Sequence, residues 1–297
     1  MTHASGRRLI GVTLCEHLGD VVASEPVARF VRAAHPGAHV AWLTARPHLR
    51  LARAFEGVDS VHELPCLVAW ERIRGSGTFD VEVNLHLSGR GCSQCGIQVH
   101  KRDDGAGIST ANFLSVGPLL SVFAMSAGLP PLTDAPRLNP GEAARDAVEA
   151  LGLPRRFVVI HCTPNDPRKE WTALGWATLI RRITDELRVP VFEVGSVATQ
   201  SSAISLCGRL SILETAEVIR RASLFVGIDS GPAHLANAVG TPGVVLLGRL
   251  LHFERYCPFT GGYGLEGGLA DLIYSNDAAA LIDAGTVFAA AAARIAG

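Results

Sequence analysis

Lysine is almost missing from this 297-residue chain: Lys101 and Lys169 are its only two, among 27 basic residues in all. A lysine inside a motif is therefore less easily read as surface filler, which singles out Lys169. The chain also lacks an excess of charge of either sign. Its formal net charge is −1, with 14 basic and 15 acidic groups in residues 1–150 and 13 of each in the remainder. That balance offers no electrostatic footprint for nucleic acid and no polybasic anchor for a lipid surface. No apolar run reaches the roughly 18 residues that span a bilayer, and the N-terminus has no apolar core of a secretory signal. A cytoplasmic protein is expected. Low-complexity sequence is confined to an Ala-rich stretch near the C-terminus.

What is present is apolar sequence in short, regularly spaced runs. At 48% hydrophobic residues the chain can bury a large core, and its length suits two domains. Strand-length apolar runs alternate with amphipathic segments, the pattern of parallel α/β layers. Strands are predicted near 9–14, 39–44, 60–63 and 79–86, then near 157–162, 189–195, 224–228, 243–248 and 270–274. Between the first two, Val22, Pro26, Val27, Phe30, Val31 and Ala34 mark one helical face closed by His35-Pro36-Gly37, which makes a βαβ unit. Pro130-Pro131 and Asn139-Pro140-Gly141 interrupt the pattern and place a boundary between 130 and 156, giving domains 1–150 and 151–297. The terminal helix near 277–295 is expected to pack back on the first domain.

The seven cysteines read as reduced thiols. Cys15, Cys162 and Cys207 lie in or beside apolar runs and behave as small core residues. Cys92-Ser93-Gln94-Cys95 stands in a Gly-rich loop with His86 and His100 nearby in sequence, so a zinc or iron ion, or redox use, competes there with an unligated loop. A single Cys-x-x-Cys is too few ligands for a closed site.

The run from Leu224 to Pro242 is the most informative segment. An apolar strand ends on Asp229, and Ser230-Gly231-Pro232 turns into a helix that Gly240 stops. Unpaired N–H groups at a helix start, together with the helix dipole, suit an anion such as a diphosphate. Asp229 is placed to accept hydrogen bonds from sugar hydroxyls, and His234 to donate toward phosphate. The competing reading is an ordinary strand-turn-helix with a capping serine.

This segment resembles the donor-site signature of glycosyltransferase family 9, the ADP-heptose heptosyltransferases of lipopolysaccharide assembly. Leu18-Gly19-Asp20-Val21-Val22 with Pro26 is similar to the family's first loop and helix, His161 through Trp171 to its phosphate-binding loop, and Phe79 through Leu85 to a late strand of its first half. The motifs occur in family order across most of the chain. The resemblance implies the GT-B architecture, in which two Rossmann-like parallel-sheet domains face each other across a cleft, an acceptor-side domain at 1–150 and a nucleotide-sugar donor domain at 151–297. It implies inverting transfer of heptose from ADP-heptose to a sugar or related hydroxyl on a glycan or glycolipid, with Asp20 as the base. Thr163 and Lys169 then reach the diphosphate beside Ser230 and Gly231, Trp171 packs, and no metal or other cofactor is required. A tight turn with a helix-capping Asp20 is the rival reading of Gly19-Asp20.

Departures from the family accompany the matches. Cys15-Glu16-His17 replaces small and polar residues, the loop at 88–110 is unusual, and no acidic residue follows the strand at 189–195 to meet a ribose. Arg46, Arg50 and Arg53 suit an anionic acceptor, or equally a solvated helix face. The acceptor itself, whether lipopolysaccharide core, protein hydroxyl or secondary metabolite, is left open, as are oligomeric state and transient contact with the inner membrane. A sugar-nucleotide epimerase and a non-catalytic nucleotide-sugar-binding or assembly protein are the alternatives.

Overall fold

The computed structural model describes residues 6–92, 94–101, 107–200, 202–265 and 267–296, so that Ser93 of the Cys-x-x-Cys motif lies outside the described residues. The chain divides into two compact units, 1–136 and 137–297.

In the first unit, β1 (Leu9–Thr13), β2 (His39–Thr44), β3 (Ser60–Glu63) and β4 (Val81–Asn84) form a parallel sheet in the order β3-β2-β1-β4. Every residue of β1 is buried, as expected of a strand covered on both faces, which is why it reads as a continuous apolar run. A short antiparallel ribbon, β5 (Arg90–Gly91) and β6 (Gln98–Val99), stands apart from the sheet. The helices are α1 (Leu18–Ala23), α2 (Glu25–Ala34), α3 (Leu49–Ala52), α4 (Leu67–Ile73), α5 (Phe113–Val116) and α6 (Leu119–Ser126). The single amphipathic helix expected after β1 is thus two. The break is at Ser24, whose hydroxyl donates to Asp20 O at 2.8 Å, and Pro26 follows in the first turn of α2, where its missing N–H costs nothing. Lys101 ties the end of β4 to α6: its ammonium donates to Asn84 O at 2.7 Å, Ser126 O at 2.6 Å and Ser126 Oγ at 2.8 Å.

In the second unit, β7 (Val158–His161), β8 (Val191–Glu193), β9 (Ile204–Ser205), β10 (Leu224–Ile228), β11 (Gly243–Leu247) and β12 (Ala270–Tyr274) make a parallel sheet in the order β12-β11-β10-β7-β8-β9. Its helices are α7 (Glu142–Glu149), α8 (Ala173–Glu186), α9 (Ile212–Arg221), α10 (Gly231–Val239) and α11 (Ala284–Ala296). Helix α7 joins this unit because Arg221 of α9 holds it, donating to Arg145 O at 3.2 Å and pairing with Glu149.

The terminal helix corrects an expectation. Val287, Phe288 and Ala291 of α11 sit in the same core cluster as Ile180, Ile183 and Leu246, so the helix belongs to the second unit and not to the first. Its apolar side matches α8, Arg182 stacks over the Phe288 ring at 3.7 Å, and Arg294 forms a two-pronged pair with Asp271 of β12.

Both sheets reverse strand order next to their first strand, between β1 and β4 in one unit and between β7 and β10 in the other. Loops leaving neighbouring parallel strands at such a point diverge and leave a crevice at the carboxyl edge, where open α/β sheets hold ligands. The sequence-predicted site residues fall on these two edges. Among the described residues no helix is long and apolar enough to cross a membrane.

Candidate active site

At the β7/β10 edge, the loop after β7 carries Thr163 and Lys169 and the turn after β10 carries Asp229, Ser230 and Gly231. The geometry brings Lys169 and Asp229 together. Lys169 Nζ donates to Asp229 Oδ2 at 2.6 Å, and Tyr256 Oη donates to the same oxygen at 3.0 Å. Burial works against ionisation of Asp229, and the Lys169 charge, with the hydrogen bonds from Lys169 and Tyr256, outweighs it, so its carboxyl titrates below the usual carboxylate range. Asp229 was expected to face sugar hydroxyls and Lys169 a diphosphate; here they face each other, because a carboxylate at a buried strand end needs a cation within reach. An ammonium has three hydrogens, and this pair engages one of them on Asp229.

Ser230 is the N-cap of α10, yet its hydroxyl makes no cap bond; Oγ lies 3.0 Å from His161 Nδ1 instead. The capping reading of Ser230 is therefore corrected. The helix start is also poorer in donors than expected. Pro232 has no N–H, and the Ala233 and His234 N–H groups turn back to Ser230 O at 3.1 and 3.3 Å, which leaves Gly231 as the first-turn N–H without a partner among the described residues. His234 is buried against Phe259, ring centroids 4.6 Å apart, with Nε2 at 3.9 Å from Asp229 Oδ1 and Nδ1 without a partner among the described residues. Burial lowers its pKa to about 4, and that of His161 likewise, so both are neutral at pH 7. Trp171 packs edge-on against Trp176 and donates to Ile282 O at 2.8 Å. Near β8 the acid is Glu193, within the strand and not after it. It is consumed by its own loop, accepting from the Thr199 N–H at 2.9 Å, the Thr199 hydroxyl at 2.6 Å and the Gln200 N–H at 3.0 Å.

At the β1/β4 edge, Asp20 is the third residue of α1 and accepts the His17 N–H at 3.2 Å in a capping box. Beside it the structure reveals an acid that sequence reasoning passed over as a departure. The Glu16 side chain is 7% exposed and pairs with Arg90 at 2.6 Å. Burial, against the opposing pull of Arg90 and reinforced by Asp20, raises its pKa to about 7. Arg46, Arg50 and Arg53 are exposed on the segment after β2, and Arg46 lies 4.0 Å from Glu63, the solvated arrangement.

The Cys92/Cys95 motif acquires a different third member. His86 is fully buried, its Nε2 accepting the Cys15 N–H at 2.7 Å and its Nδ1 lying 2.8 Å from Asn84 Oδ1, and His100 is exposed. Neither histidine joins the motif. Cys66, from 26 residues upstream of Cys92, does: the sulfurs of Cys66, Cys92 and Cys95 all lie within 4.8 Å of one another.

Residues 115–252 match the model of Glycosyltransferase family 9 (heptosyltransferase). Lipopolysaccharide heptosyltransferase 3 of Escherichia coli is 28% identical over 122 residues, 36% of this chain and 36% of that protein, so the match spans about a third of the curated relative's length. Two solved structures cover nearly the whole chain at 17% identity. A glycosyl transferase family 9 protein from Veillonella parvula covers 97% of both chains with a TM-score of 0.71. E. coli ADP-heptose lps heptosyltransferase II covers 97% of this chain and 98% of its own with a TM-score of 0.69. Identity this low speaks for the fold, which is GT-B: two Rossmann-like units, each built on a parallel sheet. Over residues 115–252, then, the chain is similar to the heptosyltransferases of glycosyltransferase family 9.

Proposed function

We propose that this protein is an inverting glycosyltransferase that moves heptose from ADP-heptose to a sugar hydroxyl, with the lipopolysaccharide core as acceptor. The observation that supports it most is the convergence of Lys169, Asp229 and the start of α10 at one switch point, in a chain whose curated relatives are lipopolysaccharide heptosyltransferases. In the transfer, the bond from the anomeric carbon to the diphosphate oxygen breaks while the acceptor oxygen bonds from the opposite face. Charge accumulates on the departing diphosphate, and the Gly231 N–H, the α10 dipole and the Lys169 ammonium meet it without a divalent cation. Thr163 adds a hydroxyl donor from the loop after β7. Asp229 holds Lys169 in place and offers its second oxygen to the sugar. The acceptor proton passes to Asp20, whose carboxylate the His17 N–H orients. The reaction takes place in the cytoplasm, with transient contact at the inner membrane where the acceptor is a glycolipid.

The test is ADP release from ADP-heptose with and without a heptose-deficient core acceptor, for wild type, Asp20→Asn and Glu16→Gln. Acceptor-dependent ADP release is expected, with a loss of about 100-fold or more in kcat for Asp20→Asn, the usual scale of a lost general base. Glu16→Gln should move the pH profile near 7 and spare most of the turnover. Wild-type kcat in Asp20→Asn with both substrates saturating removes Asp20 as the base. An isomerised donor without transfer replaces the whole reading with epimerisation.

A further inference from the structure

We propose that Cys66, Cys92 and Cys95 form a thiolate site for a soft divalent metal ion of the zinc kind. The site is independent of the heptosyl-transfer reading, because it rests on the architecture of one turn and one helix start in the first unit.

Cys92 and Cys95 lie on the tight turn that joins β5 to β6. The Cys92 N–H donates to Ile97 O at 2.9 Å, the Gly96 N–H donates to Cys92 O at 2.8 Å, and Gly96 adopts φ +71°, a left-handed conformation that suits glycine. Cys66, the N-cap of α4, reaches the same place from another segment, so that sulfurs from two separate parts of the chain converge there. Three thiols gathered from two segments are what a thiolate metal site requires, and ordinary packing of a small apolar thiol does not call for that convergence.

The distances are close to those required. Tetrahedral zinc with Zn–S near 2.3 Å sets its sulfurs about 3.8 Å apart, so sulfurs within 4.8 Å need to contract by at most about 1 Å. Cys95 is exposed and free to make that adjustment by rotation. Cys66 and Cys92 also line a cavity of about 200 Å³ with Cys15, Glu16 and Arg90, and the fourth ligand comes from that cavity, where Cys15 is the remaining thiol. Each thiol that ligates releases its proton. The bound ion would pin the turn between β5 and β6 to α4, and with it Arg90, the partner of Glu16.

The full chain is purified under reducing conditions and its metal content measured. One zinc or iron per chain is expected, retained in Cys207→Ser and lost in Cys66→Ser and Cys92→Ser. Replacement by Co2+ should give the thiolate charge-transfer absorption of a tetrahedral site in wild type. Should the serine variants fail to fold, zinc release from folded wild type on titration with a mercurial, read with a colorimetric zinc indicator, makes the same measurement. Folded, reduced wild type that carries no metal and binds neither Zn2+ nor Co2+ stoichiometrically overturns the proposal, as does a Cys92–Cys95 disulfide in protein taken from a reducing cytosol.

Discussion

The pair of Lys169 and Asp229 shows how much one contact carries. With the two side chains only 16% and 8% exposed, the ion pair is shielded from solvent and from salt. Removing its cation leaves a buried carboxylate with the Tyr256 hydroxyl as its remaining hydrogen-bond donor among the described residues, a change that typically costs about 3–5 kcal/mol. Lys169→Ala should therefore lower stability and, under the proposed function, weaken the donor at least tenfold, about 1.4 kcal/mol. Urea denaturation and calorimetric titration with ADP measure the two effects, and unchanged donor affinity takes Lys169 out of the site. At this scale the sequence was half legible. Lys169 and Asp229 stood in recognisable motifs, whereas Tyr256 lies 27 residues beyond Asp229 in a loop without periodicity, and nothing local announces its bond. Cys66 was hidden for the same reason, since a contact across 26 residues leaves no spacing signal. Glu16 was visible as an oddity, but only burial against Arg90 turns an oddity into a carboxyl that titrates near neutrality.

Elements were more legible than side chains, for a physical reason. A parallel strand covered on both faces must be apolar along its whole length, so β1, β7, β10 and β11 announce themselves as uninterrupted runs. The ribbon of β5 and β6 and the two-residue β9 are too short to carry a period, and they were missed. Helix α8 offers a test of local packing. Thr172 caps it by accepting the Gly175 N–H at 3.0 Å, and a Cβ at position 175 would stand 2.7 Å from the Trp171 ring. Gly175→Ala should thus be destabilising by about 1–3 kcal/mol although alanine is the better helix former, because overpacking outweighs propensity. A shift of the urea midpoint in the stabilising direction would show that the Trp171 ring has room to move.

The whole molecule carries a pH dependence that its near-neutral charge does not suggest. Burial holds His161 and His234 near pKa 4, and burial, with help from Lys101 and Arg90, holds His86 near 3. Each stays neutral when folded and takes up a proton when unfolded below about pH 6.5, so its contribution to stability is lost as pH falls. Glu16 has the opposite sign. Its folded pKa is raised to about 7, so it stays protonated when folded and its contribution is lost as pH rises through 7. Near pH 5.5 three imidazoles oppose one carboxyl, a net uptake of about two protons on unfolding, each worth roughly 1.4 kcal/mol per pH unit. Denaturation midpoints should fall from pH 7 to pH 5, and midpoints flat across that interval would contradict the burial of these rings.

The scarcity of lysine has a consequence for the bench. Lys101 has given all three ammonium hydrogens to Asn84 and Ser126, while Lys169 has given one to Asp229. An amine-selective acylating reagent meets only two ε-amines, and one of them stands at the proposed donor site. Labelling stoichiometry, followed by mass spectrometry with and without ADP, would then serve as a footprint of occupancy, with protection of Lys169 by nucleotide as the expected outcome and equal labelling in both samples as the contrary one.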